Sequence, residues 1–349
     1  MFDIQVSKSS SIESVDFENI SFGQVFSDHL FVMDYEDGVW KKGSIQPFGP
    51  MTLNPATMAL HYGQSIFEGM KAYRQPDGGV SMFRPGDNIN RFNFSAARMC
   101  MPEVPEETFM QALVELIQLD KAWVPNNENS SLYIRPFLFA TDAHVGVRPS
   151  HSYRFIIFTC PVGKYYDKPV KVKVEFNYTR AAIGGTGAAK ASGNYAGSLY
   201  PTKLAHDQGY DQLLWTDAKS HTCIEECGTM NAAFVIKDQM IVPAISDTVL
   251  AGITRDSAIK LAQDLGIDVV SRTVTVAELE DAAKNGTLNE AFGLGTAATV
   301  SLMSTIGFKE WDFELPDPAT FKIAHKIKNA LDSVRLGTGE DVHGWNIPV

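Results

Sequence analysis

The segment IGGTGAAKASGNY, residues 183–195, places one lysine among glycines and other small residues, with a tyrosine five positions later. Glycines let the backbone approach a bound group closely. A lysine becomes a useful nucleophile when its ammonium is desolvated or shares a site with other cations. Lys190 is therefore the candidate nucleophile of this chain, in a segment that predicts a cofactor site. The alternative is a solvated surface lysine, because most lysines are exposed.

Two nucleotide-binding motifs are matched only in part. Residues 184–190 approach a phosphate-binding loop, but Ala189 replaces the glycine before the lysine and Ala191 replaces the hydroxyl residue that would hold magnesium. Residues 293–298 fit the dinucleotide pattern as a string, yet the β-branched stretch 299–307 follows where a helix is required. We disfavour both motifs and keep a nucleotide-binding module as an alternative function.

A single phosphate site is predicted at residues 252–257, GITRDS, directly before an amphipathic helix. The free N–H groups and the dipole of a helix N-terminus favour an anion there. An ordinary helix cap by Thr254 is the alternative. Thr296, in a glycine-flanked loop, could donate to the same anion.

Two adjacent acids, Glu225 and Glu226, lead into the sequence CGTMN. Successive strand residues point to opposite faces, so we expect only one of the two to point inward, and Glu226 is our candidate. A carboxylate can keep a cofactor ring nitrogen protonated, and Tyr195 could hydrogen-bond a ring oxygen or simply pack in the core. A lysine, one phosphate and a carboxylate together indicate pyridoxal 5′-phosphate rather than a nucleotide.

The composition indicates a globular protein that binds neither nucleic acid nor membrane. The 349 residues are 44% apolar and 20% charged, with 30 basic against 41 acidic residues and a net charge of -11. The N-terminus lacks the pattern of a secretory signal and no apolar run is long enough to span a bilayer, so we expect a cytoplasmic protein. The four cysteines predict neither a disulfide framework nor, at Cys223 and Cys227, a metal site.

Apolar periodicity predicts an α/β or α+β chain of two domains. Strands are expected at residues 132–139, 153–161 and 170–176, and helices at 88–100, around 109–117 and 258–265, and at 323–334. A capping box at Thr275 and Glu278 opens a further helix. We place a small N-terminal domain at 1–162, a linker at 163–170 and a large C-terminal domain, carrying the lysine, at 171–349.

Taken together, these motifs and several shorter strings resemble the branched-chain amino acid aminotransferases, which are fold-type IV pyridoxal-phosphate enzymes. The resemblance covers nearly the whole chain, and its strings are specific as a set although no single one would be. They are FGQVFSDH at 22–29, IQPF at 45–48, LHYGQSIFEGMK at 60–71, FRP at 83–85, NR at 90–91, SLYIRP at 131–136, GNY at 193–195, ECGTMN at 226–231, GLGTA at 293–297 and WNIPV at 345–349.

The resemblance implies a role for each matching residue. Lys190 would be the Schiff-base lysine and proton shuttle, Glu226 the partner of the pyridine nitrogen and Tyr195 the donor to the ring oxygen. The phosphate cup would comprise Arg91, Ile253, Thr254 and Thr296. The substrate pocket would be lined by Phe22, Tyr62, Phe67, Tyr133, Arg135, Tyr165, Thr229 and Ala297, with Arg135 receiving the second carboxylate of glutamate. Tyr62 and the loop from Val145 to Val147 would lie at a dimer interface.

An arginine in an apolar strand is costly to bury, so a purely structural Arg135 would need a buried acid nearby.

The resemblance implies a homodimeric transaminase that exchanges amino groups between leucine, isoleucine or valine and 2-oxoglutarate by a ping-pong mechanism. The chain departs from mammalian members in one respect: Ala298 and Ser301 stand where those have a redox-sensitive cysteine pair. The alternatives are a D-amino acid transaminase, an aminodeoxychorismate lyase and a non-catalytic binding protein of the same fold.

Overall fold

A computed structural model describes residues 2–127, 130–163 and 168–349. These residues form two compact units. Unit 1 contains residues up to 163 together with 189–193 and 333–349, and unit 2 contains the remainder, 168–188 and 194–332. The predicted linker has its centre at 164–167, outside the described residues, so the predicted domain boundary remains a prediction.

The units differ from the predicted domains in two ways, because the lysine segment 189–193 and the C-terminal segment 333–349 both belong to unit 1. The Phe67 N–H donates to the Lys190 carbonyl oxygen at 3.1 Å, and the Lys190 N–H donates to Ser95 Oγ at 2.9 Å. Ile66 and Ala191 also form an isolated antiparallel bridge. These backbone contacts join the segment to unit 1, although most of the chain around it lies in unit 2.

Unit 1 is built from strands and helices of the N-terminal part of the chain and from one C-terminal strand. Its elements are β1 (Asp3–Ile4), β2 (His29–Glu36), β3 (Val39–Trp40), β4 (Ser44–Pro47), α1 (Met58–Tyr62), β5 (Ser65–Phe67), β6 (Met70–Arg74), β7 (Val80–Phe83), α2 (Pro85–Arg98), α3 (Glu106–Leu119), β8 (Ser131–Ala140), β9 (Tyr153–Val162) and, numbered by its place in the chain, β20 (Asn346–Pro348). Short 3-10 turns cover Ile12–Ser14 and Lys121–Trp123.

The sheet of unit 1 has the order β1-β4-β2-β9-β8-β6-β7-β20, with β3 on β2 and β5 on β8. Its pairs are antiparallel apart from β1 with β4. Helices α2 and α3 pack on it around a fully buried aromatic group of Phe31, Phe92, Phe109 and Phe155. The helix predicted at 88–100 begins earlier, at Pro85, because proline is well suited to the first turn of a helix.

Unit 2 holds the remaining elements. They are β10 (Val170–Val174), α4 (Ser192–Asp207, whose first two residues belong to unit 1), β11 (Gln212–Thr216), β12 (Cys223–Cys227), β13 (Met230–Ile236), β14 (Gln239–Pro243), α5 (Ile253–Asp264), β15 (Val269–Arg272), β16 (Val274–Thr275), α6 (Val276–Lys284), β17 (Leu288–Gly295), β18 (Thr299–Gly307), β19 (Asp312–Glu314) and α7 (Ile323–Arg335, whose last three residues belong to unit 1). A 3-10 turn covers Pro318–Thr320.

The sheet of unit 2 has the order β15-β14-β13-β17-β18-β10-β11-β12-β16, with β19 on β18 and a further pairing of β12 with β13. Helices α5 and α6 lie against β17. The mixture of parallel and antiparallel pairs confirms the predicted α/β class. The capping box is also confirmed, since Thr275 Oγ1 accepts a hydrogen bond from the Glu278 N–H at 3.0 Å.

Residues 293–298 do not have the strand–turn–helix structure of a dinucleotide-binding motif. Residues 293–295 end strand β17 and a tight turn leads directly into β18, so no helix N-terminus follows them. Throughout the described ranges, we find no helix with the length and apolar character needed to cross a membrane.

Candidate active site

In unit 1, Lys190 and Arg135 share one aromatic neighbour. Lys190 Nζ lies 4.8 Å from the ring centre of Phe67, and the Arg135 guanidinium carbon lies 4.6 Å from the same centre. Cations are attracted to aromatic faces at such distances. Phe67 ends strand β5, whose bridge to the lysine segment fixes this arrangement. The structure therefore brings together three of the predicted site residues.

Tyr133 extends this group along strand β8. Its hydroxyl accepts a hydrogen bond from Arg135 Nη2 at 3.0 Å, and Phe22 packs edge-on against its ring, with the centroids 5.0 Å apart. A β-carbon at Gly69 would overlap the Tyr133 hydroxyl, so this position needs glycine. These contacts join five of the predicted site residues in one cluster: Phe22, Phe67, Tyr133, Arg135 and Lys190.

Arg135 has no carboxylate partner among the described residues. Its Nη2 donates to Tyr133, its guanidinium lies over two aromatic rings, and its buried Nε has no hydrogen-bond partner in the described chain. The acid that a purely structural arginine would need is therefore not present in that part of the chain. A half-buried guanidinium with unused donor capacity is well suited to a carboxylate ligand.

Arg91, on helix α2, forms a two-point ion pair with Glu68 that the sequence did not reveal. Nε donates to Oε1 at 2.7 Å and Nη2 donates to Oε2 at 2.9 Å. Glu68 is completely buried and also accepts from the Gly69 N–H. Ser95 Oγ, which accepts from the Lys190 N–H, donates to the Arg91 carbonyl, so α2 links Arg91 to the lysine segment.

The residues predicted at a dimer interface are exposed apolar side chains of unit 1. The exposed fractions are 38% for Tyr62, 70% for Val145 and 88% for Val147. Thr57, which precedes α1, bridges Ala143, so the helix that ends at Tyr62 and the loop of the two valines are adjacent. These three residues thus lie on neighbouring segments of unit 1. They are exposed, whereas the residues of the Phe67 cluster are buried or half-buried.

In unit 2, Glu226 is held from several sides on strand β12. Its Oε1 accepts from the Leu250 N–H at 2.7 Å and from Asn231 Nδ2 at 3.5 Å. Its Oε2 lies 3.1 Å from Nε of Arg180, at an angle that gives an ion pair without a hydrogen bond. The guanidinium charge and the N–H donor both favour a carboxylate over a neutral acid at this position.

The expectation that only one of the adjacent acids points inward is wrong. Glu226 is 3% exposed and Glu225 is 8% exposed. The register between β11 and β12 shifts at this point, because Trp215 pairs with Glu226 and Thr216 pairs with Ile224, which leaves Glu225 without a partner residue. Such a bulge interrupts the alternation of faces on which the expectation depended. Burial raises the pKa of Glu225, while a hydrogen bond from Thr248 and the charge of Arg180 oppose the rise.

The predicted phosphate site is the start of helix α5. Ile253 and Thr254 are its first two residues, both buried, and no side chain caps it. The first N–H groups of a helix lack partners within the helix and are suited to bind an anion. A β-carbon at Gly252 would overlap Asn231 Oδ1, so glycine allows the helix to begin beside the residue that contacts Glu226.

Two turns at the ends of interior strands of the sheet of unit 2 contain Thr229, Thr296 and Ala297. Strand β13 begins at Met230 and its antiparallel neighbour β17 ends at Gly295, with Asn231 opposite Leu294. The turns before β13 and after β17 therefore lie side by side. Thr296 and Ala297 are half-buried, whereas Thr229 is exposed.

The last two predicted residues are tyrosines. Tyr195 lies half-buried in the first turn of the part of α4 that belongs to unit 2, and its carbonyl accepts from Ser198 Oγ. Tyr165 lies outside the described residues.

Neither nucleotide-like motif supplies a better donor set, since residues 184–190 form turns rather than the start of a helix.

Sequence reasoning missed the residues that support those it found. Glu68, Ser95 and Arg180 carry no catalytic motif of their own, and Glu68 appears only as one letter of the string FEGMK. Their roles depend on contacts between residues 23 to 95 positions apart, which neither periodicity nor spacing reveals. Thr248 and Leu250, which reach Glu225 and Glu226, are equally invisible in the sequence.

Each unit, taken by itself, contains groups that fit pyridoxal phosphate. Unit 1 supplies a half-buried lysine beside an aromatic ring. Unit 2 supplies a buried carboxylate fixed by an N–H donor and an arginine, and a helix N-terminus without a side-chain cap. An amine, an anion for a pyridinium nitrogen and N–H groups for a phosphate are the three requirements of this cofactor.

Comparison with known proteins gives concordant matches. The family described as Amino-transferase class IV matches residues 65–301. The chain is 43% identical to branched-chain-amino-acid transaminase 1 of Bacillus subtilis (strain 168), over 97% of this chain and 96% of that protein. A solved branched-chain amino acid aminotransferase from Escherichia coli is 26% identical, with a TM-score of 0.74, covering 92% and 98% of the two chains.

A second solved structure is the branched-chain aminotransferase of the thermophilic archaeon Thermoproteus uzoniensis, crystallised with norvaline. It is 25% identical to this chain, with a TM-score of 0.75, and the match covers 92% of this chain and 99% of that one. These matches confirm the predicted fold-type IV architecture.

Proposed function

The chain belongs to the class IV aminotransferases, which use pyridoxal phosphate, and on that premise we propose that it exchanges amino groups between branched-chain L-amino acids and 2-oxoglutarate. The observation that carries the substrate assignment is Arg135, a half-buried cation set among Phe67 and Tyr133 with no carboxylate partner in the described chain. Aromatic walls suit an aliphatic side chain, and the guanidinium suits the second carboxylate of glutamate.

The reaction proceeds in two half-reactions that use the same pocket. Pyridoxal phosphate, when bound, would supply an aldehyde for the substrate amine and an electron sink for the carbon that carries this amine. Lys190 Nζ takes the proton from the substrate Cα and later returns one, and Glu226 holds the proton on the ring nitrogen. Tyr195 donates to the ring oxygen.

The phosphate is assigned to Arg91, Ile253, Thr254 and Thr296. The α5 N–H groups and the buried Thr254 hydroxyl support this assignment, because they are donors at a helix N-terminus. Two guanidinium nitrogens of Arg91 donate to the Glu68 carboxylate, and this pair of hydrogen bonds fixes the plane of the guanidinium. Glu68 is thereby a positioning residue for the phosphate site.

The substrate side chain is assigned to aromatic and small residues, with Arg135 at the position of the second carboxylate. The set is Phe22, Tyr62, Phe67, Tyr133, Arg135, Val145, Val147, Tyr165, Thr229 and Ala297. The exposure of Tyr62, Val145 and Val147 supports a second copy of the chain over them, and we assign a homodimer. Cytoplasmic location is assigned on the four free cysteines among the described residues.

A substrate panel tests this proposal. The purified protein with pyridoxal phosphate is given 2-oxoglutarate and, one at a time, L-leucine, L-isoleucine, L-valine, L-aspartate and D-alanine. We expect glutamate to form from the three branched-chain amino acids and little from L-aspartate. Preference for D-alanine would replace the proposal with a D-amino acid transaminase, and absence of turnover with every amino acid would refute transamination.

A further inference from the structure

Glu225 is a buried acid with no part in the function proposed above. Its Oε1 accepts a hydrogen bond from Thr248 Oγ1 at 2.5 Å. Its Oε2 is buried and has no hydrogen-bond partner in the described ranges of the chain. Burying a carboxyl group with an unused oxygen is unfavourable, so its retention in the interior needs a reason.

The reason lies in residues 246–250, a segment that both adjacent glutamates hold. Glu225 accepts a hydrogen bond from the Thr248 hydroxyl, and Glu226 accepts one from the Leu250 N–H at 2.7 Å. The Leu250 carbonyl accepts from Asn231 Nδ2 at 2.9 Å. The segment is thus fixed to strands β12 and β13 on both sides of Val249.

The same segment also orients the cationic partner of Glu226. Arg180 Nη2 donates to the Thr248 carbonyl, while its Nε lies 3.1 Å from Glu226 Oε2. Thr248 therefore connects Glu225, through its hydroxyl, with Arg180, through its carbonyl. If Thr248 moves, the guanidinium and the Leu250 N–H both move relative to the Glu226 carboxylate.

The segment leads, after one further residue, into Gly252 and the start of α5. Asn231 again links the two, since it donates to Leu250 and closely contacts Gly252. The position of the first N–H groups of α5 is therefore coupled to the contact between Thr248 and Glu225.

We infer that Glu225 is a positioning residue for pyridoxal phosphate, acting through Thr248 to hold both the Glu226–Arg180 pair and the N-terminus of α5. This inference rests on the function proposed above.

The test measures the dissociation constant of pyridoxal phosphate from the apoenzyme by quenching of protein fluorescence. We expect Glu225→Ala and Thr248→Val each to weaken binding about tenfold, because each breaks the same buried hydrogen bond. The double variant should be no weaker than either single variant, since the two residues act as one unit. Glu225→Gln keeps an acceptor for Thr248 and should restore most of the affinity.

The pH at which the visible band of the holoenzyme titrates gives a second measurement, and we expect it to shift in Glu225→Ala but not in Glu225→Gln. The matched control is Glu314→Gln, which replaces a glutamate that accepts from the Thr305 hydroxyl at 2.9 Å on strands β19 and β18. It should change neither measurement.

Two outcomes would overturn the inference while leaving the proposed function intact. One is wild-type affinity in folded Glu225→Ala and Thr248→Val, and the other is additive losses in the double variant. A wild-type protein that binds no pyridoxal phosphate would instead refute both proposals.

Discussion

Glu68 and Arg91 form a buried two-point ion pair, with Nε–Oε1 at 2.7 Å and Nη2–Oε2 at 2.9 Å. Glu68 comes directly after Phe67, the ring that Lys190 and Arg135 share, and Arg91 lies one turn before Ser95, which accepts from the Lys190 N–H. The pair therefore connects the aromatic wall with the helix that supports the lysine segment.

Removing the charge of Glu68 should be costly to stability. Glu68→Gln removes the charge that Glu68 sets against the buried Arg91 guanidinium, and breaking such a pair costs about 3 to 5 kcal/mol. Urea unfolding of the apoprotein measures the loss. Asp34→Asn is the control, because Asp34 binds Arg154 in the same two-point geometry with both side chains about 30% exposed. We expect it to cost less than about 1 kcal/mol, and equal losses would contradict the argument.

Lys190→Ala should fold, bind pyridoxal phosphate less tightly and lose both the visible absorbance of the lysine-bound cofactor and turnover. Lys203→Ala is the control, since Lys203 is exposed and pairs with Asp207 within α4. Borohydride reduction followed by peptide mapping identifies the modified residue. A pyridoxyl group on any lysine other than Lys190 would show that the assignment is wrong.

Glu226→Gln should lower turnover about 100- to 1000-fold, because the neutral amide no longer favours the proton on the ring nitrogen. The amide oxygen can still accept from the Leu250 N–H, so we expect the fold to be kept and the cofactor largely retained. Absorbance titration and steady-state rates separate the two effects. Retained turnover in this variant would exclude Glu226 as the partner of the ring nitrogen.

Arg135→Ala should slow the glutamate half-reaction about ten- to a hundredfold more than the leucine half-reaction, because glutamate alone brings a second carboxylate. Single-turnover kinetics with each amino acid provide the measurement, and leucine is the internal control. Tyr133→Phe removes one hydrogen-bond partner of the guanidinium. It should also slow the glutamate half-reaction more than the leucine half-reaction, but by a smaller factor. Identical losses for both amino acids would indicate that Arg135 binds the shared α-carboxylate or supports the fold.

The buried cysteines should resist oxidation. Burial raises the pKa of Cys160 to about 11 and that of Cys227 to about 12, so at neutral pH both remain thiols, which peroxide attacks slowly. Iodoacetamide should label the exposed Cys100 in the folded protein and leave these two unmodified. Mild peroxide should leave activity largely intact. Inactivation that dithiothreitol reverses and that Cys227→Ala abolishes would reveal a redox switch.

The sequence alone determined the fold class and the family, and it supplied the candidates for the reactive groups. Helix and strand periodicity is a local property, so α3, β8 and β9 were predicted close to their observed bounds, whereas α5 begins five residues before the predicted 258. Lys190 and Arg135 stand out because each is an unusual residue in its local context. Motif strings of this kind need no knowledge of which segments meet in space.

Only the tertiary structure decided how these groups are supported. It placed the lysine segment with unit 1, buried both Glu225 and Glu226, and gave Arg91 a partner in Glu68. Each of these facts depends on contacts between segments that are distant in the chain. A sequence records which side chains are present, whereas burial and pairing arise when β-sheets and helices bring them together, and those contacts fix the charges on which the chemistry depends.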